Sequence, residues 1–179
     1  MINQPEFSRL VDVRSIPAGG QRETIEATRS ECQALAKRMM LPAIHALKAR
    51  LDIRPWKGGW RVTGELKADI EQECVRTLEN FPVQLQAPVE RTYLPPGQAP
   101  SQQPQDEPID PLAADEPDIL QGFELDIGEL VAETLALSLD PWPKKPGTSH
   151  VDYHTGAAEE HEPPRKKPFA ALQALKKKP

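Results

Sequence analysis

LKARLDIRPWKGGWRVTGELKADI (Leu47–Ile70) decides the fold. Leu47, Ala49, Leu51 and Ile53 alternate with Lys48, Arg50, Asp52 and Arg54. Trp60, Val62, Gly64, Leu66, Ala68 and Ile70 alternate with Arg61, Thr63, Glu65, Lys67 and Asp69. Successive side chains of a strand point to opposite faces, so this period places the first set of each run on a core and the second in water. Pro55–Gly59 (PWKGG) supplies turn chemistry between the runs. The stretch predicts an antiparallel hairpin with one wet face.

On the N-terminal side, Phe7–Ile16 reads as a first strand, with Val11 and Val13 on one parity, and Pro17–Gly20 ends it. Gln21–Ala27 reads as a short second strand through Ile25. Thr28 is a good helix N-cap, and Glu31 stands at the capping-box spacing. Cys32, Leu35, Ala36 and Met39 then form one apolar helical face, which Met40-Leu41-Pro42 terminates.

On the C-terminal side, Cys74–Leu78 reads as another strand, with Cys74 and Leu78 on one face. Val83, Leu85, Ala87 and Val89 alternate again, and Pro82 and Pro88 point to an edge or a strand start. Phe123, Leu125 and Ile127 mark a brief strand. Asp126 and Glu129 stand at capping spacing, and Ile127, Leu130, Val131, Thr134, Leu135, Ser138 and Leu139 form a helical stripe. Ala132, Ala136 and Leu137 widen that surface, so this helix is expected to pack on the sheet across whatever lies between. Pro141–Gly147 (PWPKKPG) stops it.

Charge and proline are segregated. Residues 1–95 hold 14 Lys and Arg against 12 Asp and Glu, residues 96–140 hold none against 11, and residues 141–179 hold eight against four. Sixteen of the 20 prolines lie at or after Pro82. The expected fold class is α+β: a mainly antiparallel sheet, with a partly open barrel among its forms, and two packed helices. The expected organisation is one domain over residues 1–147, containing a disordered acidic insert at about 95–121. A flexible basic tail follows over 148–179, with a short amphipathic helix at about 168–178. The acidic block argues against a protein that coats RNA along its whole length, because it would repel phosphate. The N-terminus has no apolar signal region, and no window approaches the ~20 apolar residues of a membrane span. Cys32 and Cys74 are therefore expected to be free thiols in a reducing cytoplasm.

No catalytic constellation stands out: there is no phosphate-cradling glycine loop, no G-x-S-x-G and no H-E-x-x-H. The expectation is a non-enzymatic protein without cofactor, metal, membrane or small-molecule substrate. His150 and His154 stand four apart, with His161 beyond them, but the flanking glycines and polarity disfavour the helix a shared metal would need. The wet face of the hairpin carries Lys48, Arg50, Arg54, Lys57, Arg61 and Lys67, with Trp56 at the turn. These cations are candidates for phosphates, and Trp56 for stacking a base; an ordinary solvated face is the plain alternative. Arg76, Lys144 and Lys145 join them as candidate RNA or partner contacts. Phe169, Leu172 and Leu175, followed by Lys176–Lys178, form a candidate partner-binding helix, with docking within the chain as the alternative.

Three blocks carry a family resemblance. RPWKGGWRVTGELKADIEQECVRTLENF (Arg54–Phe81), FELDIGELVAETLALSLDPWPKKPG (Phe123–Gly147) and PFAALQALKKK (Pro168–Lys178) resemble, in order and spacing, the blocks of the YceD family. The resemblance implies a role in synthesis, processing or stability of large-subunit ribosomal RNA, with that RNA, its precursor or a ribosomal protein as partner. It carries no active site. Many members have a C-x-R-C run; here Cys74 and Arg76 match and Thr77 replaces the second cysteine, which counts against a paired-thiol or metal role. An adaptor that binds proteins without touching RNA is the rival reading.

Overall fold

The chain runs through strand β1 (Leu10–Asp12), a 3-10 turn (Val13–Ser15), β2 (Gln21–Glu26), helix α1 (Arg29–Arg38), β3 (Ala43–Trp56), β4 (Gly59–Glu73), β5 (Asn80–Leu94), β6 (Asp118–Ile119), β7 (Glu124–Asp126) and α2 (Ile127–Ser138). The structure, a computed structural model, describes residues 5–97 and 116–148. The expected acidic insert falls mostly outside them. The three C-terminal histidines, Phe169, Leu172, Leu175 and the terminal lysines fall wholly outside.

The hairpin turns on two residues. Trp56 pairs with Gly59, leaving Lys57 and Gly58 at the tip, with φ of 45° and 81°. That backbone matches the right-handed twist of the strands it joins, and glycine adopts it without strain. The alternation read from the sequence holds: Leu47, Ala49, Leu51, Ile53, Val62, Leu66, Ala68 and Ile70 are buried. The sheet order is β2-β3-β4-β5-β6, antiparallel except for the β5–β6 pair. Among the described residues the sheet stays open, with β2 and β6 at its edges, and does not close into a barrel. Pro82 and Pro88 sit in β5, which along most of its length has β4 as its only described neighbour, so a missing N–H is tolerated there.

Helix α1 starts as its sequence predicts. Thr28 Oγ1 accepts from Glu31 N at 3.3 Å, and Thr28 N donates to the Glu31 carboxylate at 2.7 Å. At its other end Leu41 N donates to Ala36 O at 2.9 Å and Met40 N to Lys37 O at 3.3 Å, with Met40 at φ 54°. This closing pattern normally takes glycine at the left-handed position. A methionine there costs roughly 1–2 kcal/mol. The Arg9 guanidinium also grips Glu31, at 2.8 and 3.0 Å, and together with the Thr28 amide and hydroxyl it lowers the Glu31 pKa to about 2. A depressed acid contributes stability that is full above its unfolded pKa and lost as pH falls through the folded one. Glu31→Gln should therefore flatten the loss of stability between about pH 4.5 and 2, read as urea midpoints across that range.

The second apolar stretch returns to the first. Leu125, Ile127, Leu130, Val131, Ala132 and Leu135 join the buried cluster that holds the hairpin's inner face. Burying each Leu, Ile or Val contributes about 1.5–3 kcal/mol. The buried stripe of α2 is narrower than the sequence suggests, since Ala136 and Leu137 face solvent. The described residues form one compact unit.

Three local readings change. Cys74–Leu78 is a tight turn and not a strand: Cys74 N donates to Glu79 O, Leu78 N donates to Cys74 O, and Leu78 has φ 56°. Glu73 pairs with Asn80, so these residues must reverse the chain. The first strand shrinks to three residues because Asp12 caps the 3-10 turn through Arg14 N. Asp118–Ile119, expected in the linker, instead form β6 beside Tyr93–Leu94, and Leu120 is buried.

Candidate binding surfaces

The hairpin cations do share one exposed face. Register places Arg54 opposite Arg61, Lys48 opposite Lys67 and Arg50 opposite Glu65. The flanking strands change its charge. Strand β2 adds Arg22 and Glu26, and β5 adds Glu90. Asp52 takes Arg54 at 2.6 Å and Arg22 at 3.3 Å, Lys48 meets Glu26 at 3.3 Å, Lys67 meets Glu65 at 3.5 Å, and Arg61 meets Glu90. Hydrogen bonds from Arg54 bring the Asp52 pKa to about 2. Arg50 and Lys57 are the hairpin cations with no ion pair among the described residues. Exposed pairs like these contribute 0–1 kcal/mol each and can open, but the face is close to neutral. Trp56 is half-buried, with Lys57 Nζ 4.5 Å and Arg61 Cζ 5.8 Å from its ring centroid. Its own neighbours already take the ring that the sequence offers for stacking.

Arg76, Lys144 and Lys145 lie elsewhere. The 14 residues of β3 put its first residue roughly 40 Å from the hairpin tip. At that far end the segment after α2 crosses the β4–β5 turn as a strap. Buried Gln72 donates to Asp140 O at 3.1 Å, Val75 N to Pro143 O at 3.0 Å, and Lys145 N to Cys74 Sγ at 3.4 Å. Lys145 Nζ meets Glu79 at 2.8 Å, and Asp140 accepts from Trp142 N at 2.9 Å. Pro141, Pro143 and Pro146 stiffen the segment.

Large apolar side chains face solvent at this end: Met40 is 90% exposed, Trp142 71% and Leu78 70%, with Val75 beside them. Lys37, Met40, Leu41, Val75 and Pro143 line one open recess of about 630 Å³. Lys37 and Lys144 have no ion-pair partner among the described residues. Sequence reasoning passed over Met40, Lys37 and Trp142 because each lies at a helix stop. A tryptophan between two prolines in a polar stretch was the available signal.

Asp126 and Glu129 serve the fold. The Asp126 carboxylate accepts from Ser8 Oγ at 2.5 Å, Arg9 N at 2.8 Å, Gly128 N at 3.0 Å and Glu129 N at 3.1 Å. Glu129 clasps Arg38 at 2.5 and 2.9 Å, and Arg38 also meets Glu6 at 3.1 Å.

Both cysteines are free and buried. Burial pushes the Cys32 thiol up, as for a small hydrophobe. Cys74 differs: hydrogen bonds from the Thr77 hydroxyl and from the Lys145, Thr77 and Arg76 amides lower its pKa to about 6. Those hydrogen bonds favour the thiolate form, and the sulfur has no solvent contact. Native protein at pH 7.5 should therefore react with an aromatic disulfide reagent at the slow rate of local opening, and urea should expose two thiols; immediate labelling of one thiol in native protein would contradict this burial. Among the described residues no three His, Cys, Asp or Glu side chains are placed to share a metal ion, and no helix is long and apolar enough to cross a membrane.

The sequence model of one family, described as "Large ribosomal RNA subunit accumulation protein YceD", matches residues 62–176. No curated protein and no solved structure matches the chain.

Proposed function

Because the chain belongs to the YceD family of large ribosomal RNA subunit accumulation proteins, we propose that it supports 23S ribosomal RNA in the cytoplasm by binding and not by turnover. In this reading the working surface is the end of the molecule where the strap, the α1 terminus and the β4–β5 turn meet. What supports it is the exposure of Met40 on the lining of one recess, with Leu78 and Trp142 exposed on the segments that supply Val75 and Pro143 to that lining, on backbone pinned by hydrogen bonds. Exposed large apolar groups gathered on a fixed frame are the usual mark of an interaction site. The hairpin face ranks second, because its cations already hold carboxylates.

The test is cosedimentation of the tagged chain with precursor large subunits in cells. Met40→Asp combined with Trp142→Ala should reduce it at least tenfold and lower mature 23S RNA, while Arg50→Glu on the hairpin face leaves both within twofold. The reverse pattern would move the working surface to the hairpin. The adaptor reading draws its support from the apolar character of Met40 and Leu78, which suits a protein partner as well.

A further inference from the structure

Resting on that reading, we infer that the partner at the strap end is unpaired RNA, with a base stacked on Trp142 and the backbone running along α1. Three observations converge. The Trp142 indole is 71% exposed and its backbone is fixed on both sides, so little ordering is lost when something stacks on it. Lys144 follows it in the strap, Lys37 lines the recess to which the intervening Pro143 contributes, and both lysines lack an ion pair among the described residues. A second recess of about 740 Å³ adjoins the first along α1, sharing Lys37, Leu41 and Pro42, and it adds Arg29, Gln33 and His45.

Arg29, Gln33 and Lys37 stand four apart on an exposed side of α1, so they form one stripe. Arg29 also lacks an ion pair among the described residues. A line of free cations leading to an aromatic platform is the arrangement that takes single strands: phosphates follow the cations and a splayed base covers the ring. A duplex keeps its bases stacked on one another and has none to offer. The carboxylates nearby are mostly engaged. Glu79 holds Lys145, Glu71 holds His45, and Asp140 accepts from Trp142 N. Glu73 is the acidic residue that lines the recess itself. The cations give RNA the advantage over a protein partner, for which the apolar rim alone would speak.

The test uses the full chain and two labelled probes, a 12-nucleotide single-stranded RNA of mixed sequence and the duplex of the same length, followed by fluorescence anisotropy across salt. The single strand should bind at least tenfold more tightly than the duplex. Trp142→Ala should weaken it roughly tenfold to a hundredfold, with Trp142→Phe retaining most of the affinity. Lys37→Gln and Lys144→Gln should each lower the salt slope by about 0.7. Trp142 is exposed, so its variants should melt with the parent, and the melting curve guards against misfolding.

Equal binding of duplex and single strand, or full affinity in Trp142→Ala, overturns the inference while leaving the working surface to be judged by cosedimentation. No RNA binding by the parent, with cosedimentation still lost in Met40→Asp/Trp142→Ala, also overturns it and assigns the surface to a protein.

Discussion

Replacing Asp126 by alanine lowers the unfolding free energy by about 3 kcal/mol, among the largest losses expected from any surface-proximal side chain here. One carboxylate closes two structures at once. It caps α2 through the Gly128 and Glu129 amides, and it holds the N-terminal segment through Ser8 Oγ and Arg9 N. Loss of an N-cap alone costs about 0.5–2 kcal/mol. Each hydrogen bond to a charged acceptor is worth about 1.5–3 kcal/mol, though bonds sharing one acceptor do not add. Asparagine separates the two contributions. Oδ1 receives the three amides and Oδ2 the Ser8 hydroxyl. An amide side chain therefore keeps the cap geometry, loses the charge and reverses the Ser8 bond, with Nδ2 donating to Ser8 Oγ, at a cost of about 1 kcal/mol. Urea denaturation measures both variants, and amide exchange at Arg9 and Ile127 should quicken in Asp126→Ala. Equal stability of parent and alanine variant would remove this carboxylate from the account of the fold.

Gly64→Ala carries the second large effect, and its sign runs against propensity. Glycine inside a strand is ordinarily a weakness, and alanine should improve it by roughly 0.5–1 kcal/mol. Here a Cβ at position 64 would lie 2.1 Å from the Arg50 carbonyl oxygen and 3.0 Å from its carbon. Those are backbone atoms of the neighbouring strand, and Gly64 pairs with Leu51 in the middle of the β3–β4 ladder. No rotamer relieves the overlap, so the two strands must part where the sheet is most tightly held. The expected loss is about 3 kcal/mol, near the top of the overpacking range, which lowers Tm by roughly 10 °C. A variant that melts higher than the parent would show that the strands accommodate the methyl group.

The hairpin and α1 were legible because their determinants are local. Alternation over Leu47–Ile70 and the Thr28–Glu31 box each lie within one stretch of chain and contend with nothing distant. The charge of the hairpin face was not legible. Glu26 and Glu90 meet Lys48 and Arg61 across strands 22 and 29 residues away, and only the pairing order brings them there. Cys74–Leu78 was misread for a related reason. Cys74 and Leu78 fit one face of a strand, but the turn between two 15-residue strands must fall there, and that follows only once the Glu73–Asn80 pair is known. Of the strap end only the basic residues Arg76, Lys144 and Lys145 were legible; its apolar members Met40 and Trp142 were not, because the end of α1 and Asp140–Lys145 each read alone as a terminator.

Pairing Leu10 with Asp126 fixes an order of events during translation. The first strand is made long before its partner, and at 5–20 residues per second the partner follows about 6–23 s later. Phe7 and Val13, fully enclosed in the finished protein, remain wet throughout that interval. The β2–β3–β4–β5 ribbon can assemble while the nascent chain is still growing, but the N-terminal segment can lock only after α2 begins to emerge. A chain truncated before Asp126 should therefore hold its central ribbon yet leave its beginning open to proteases.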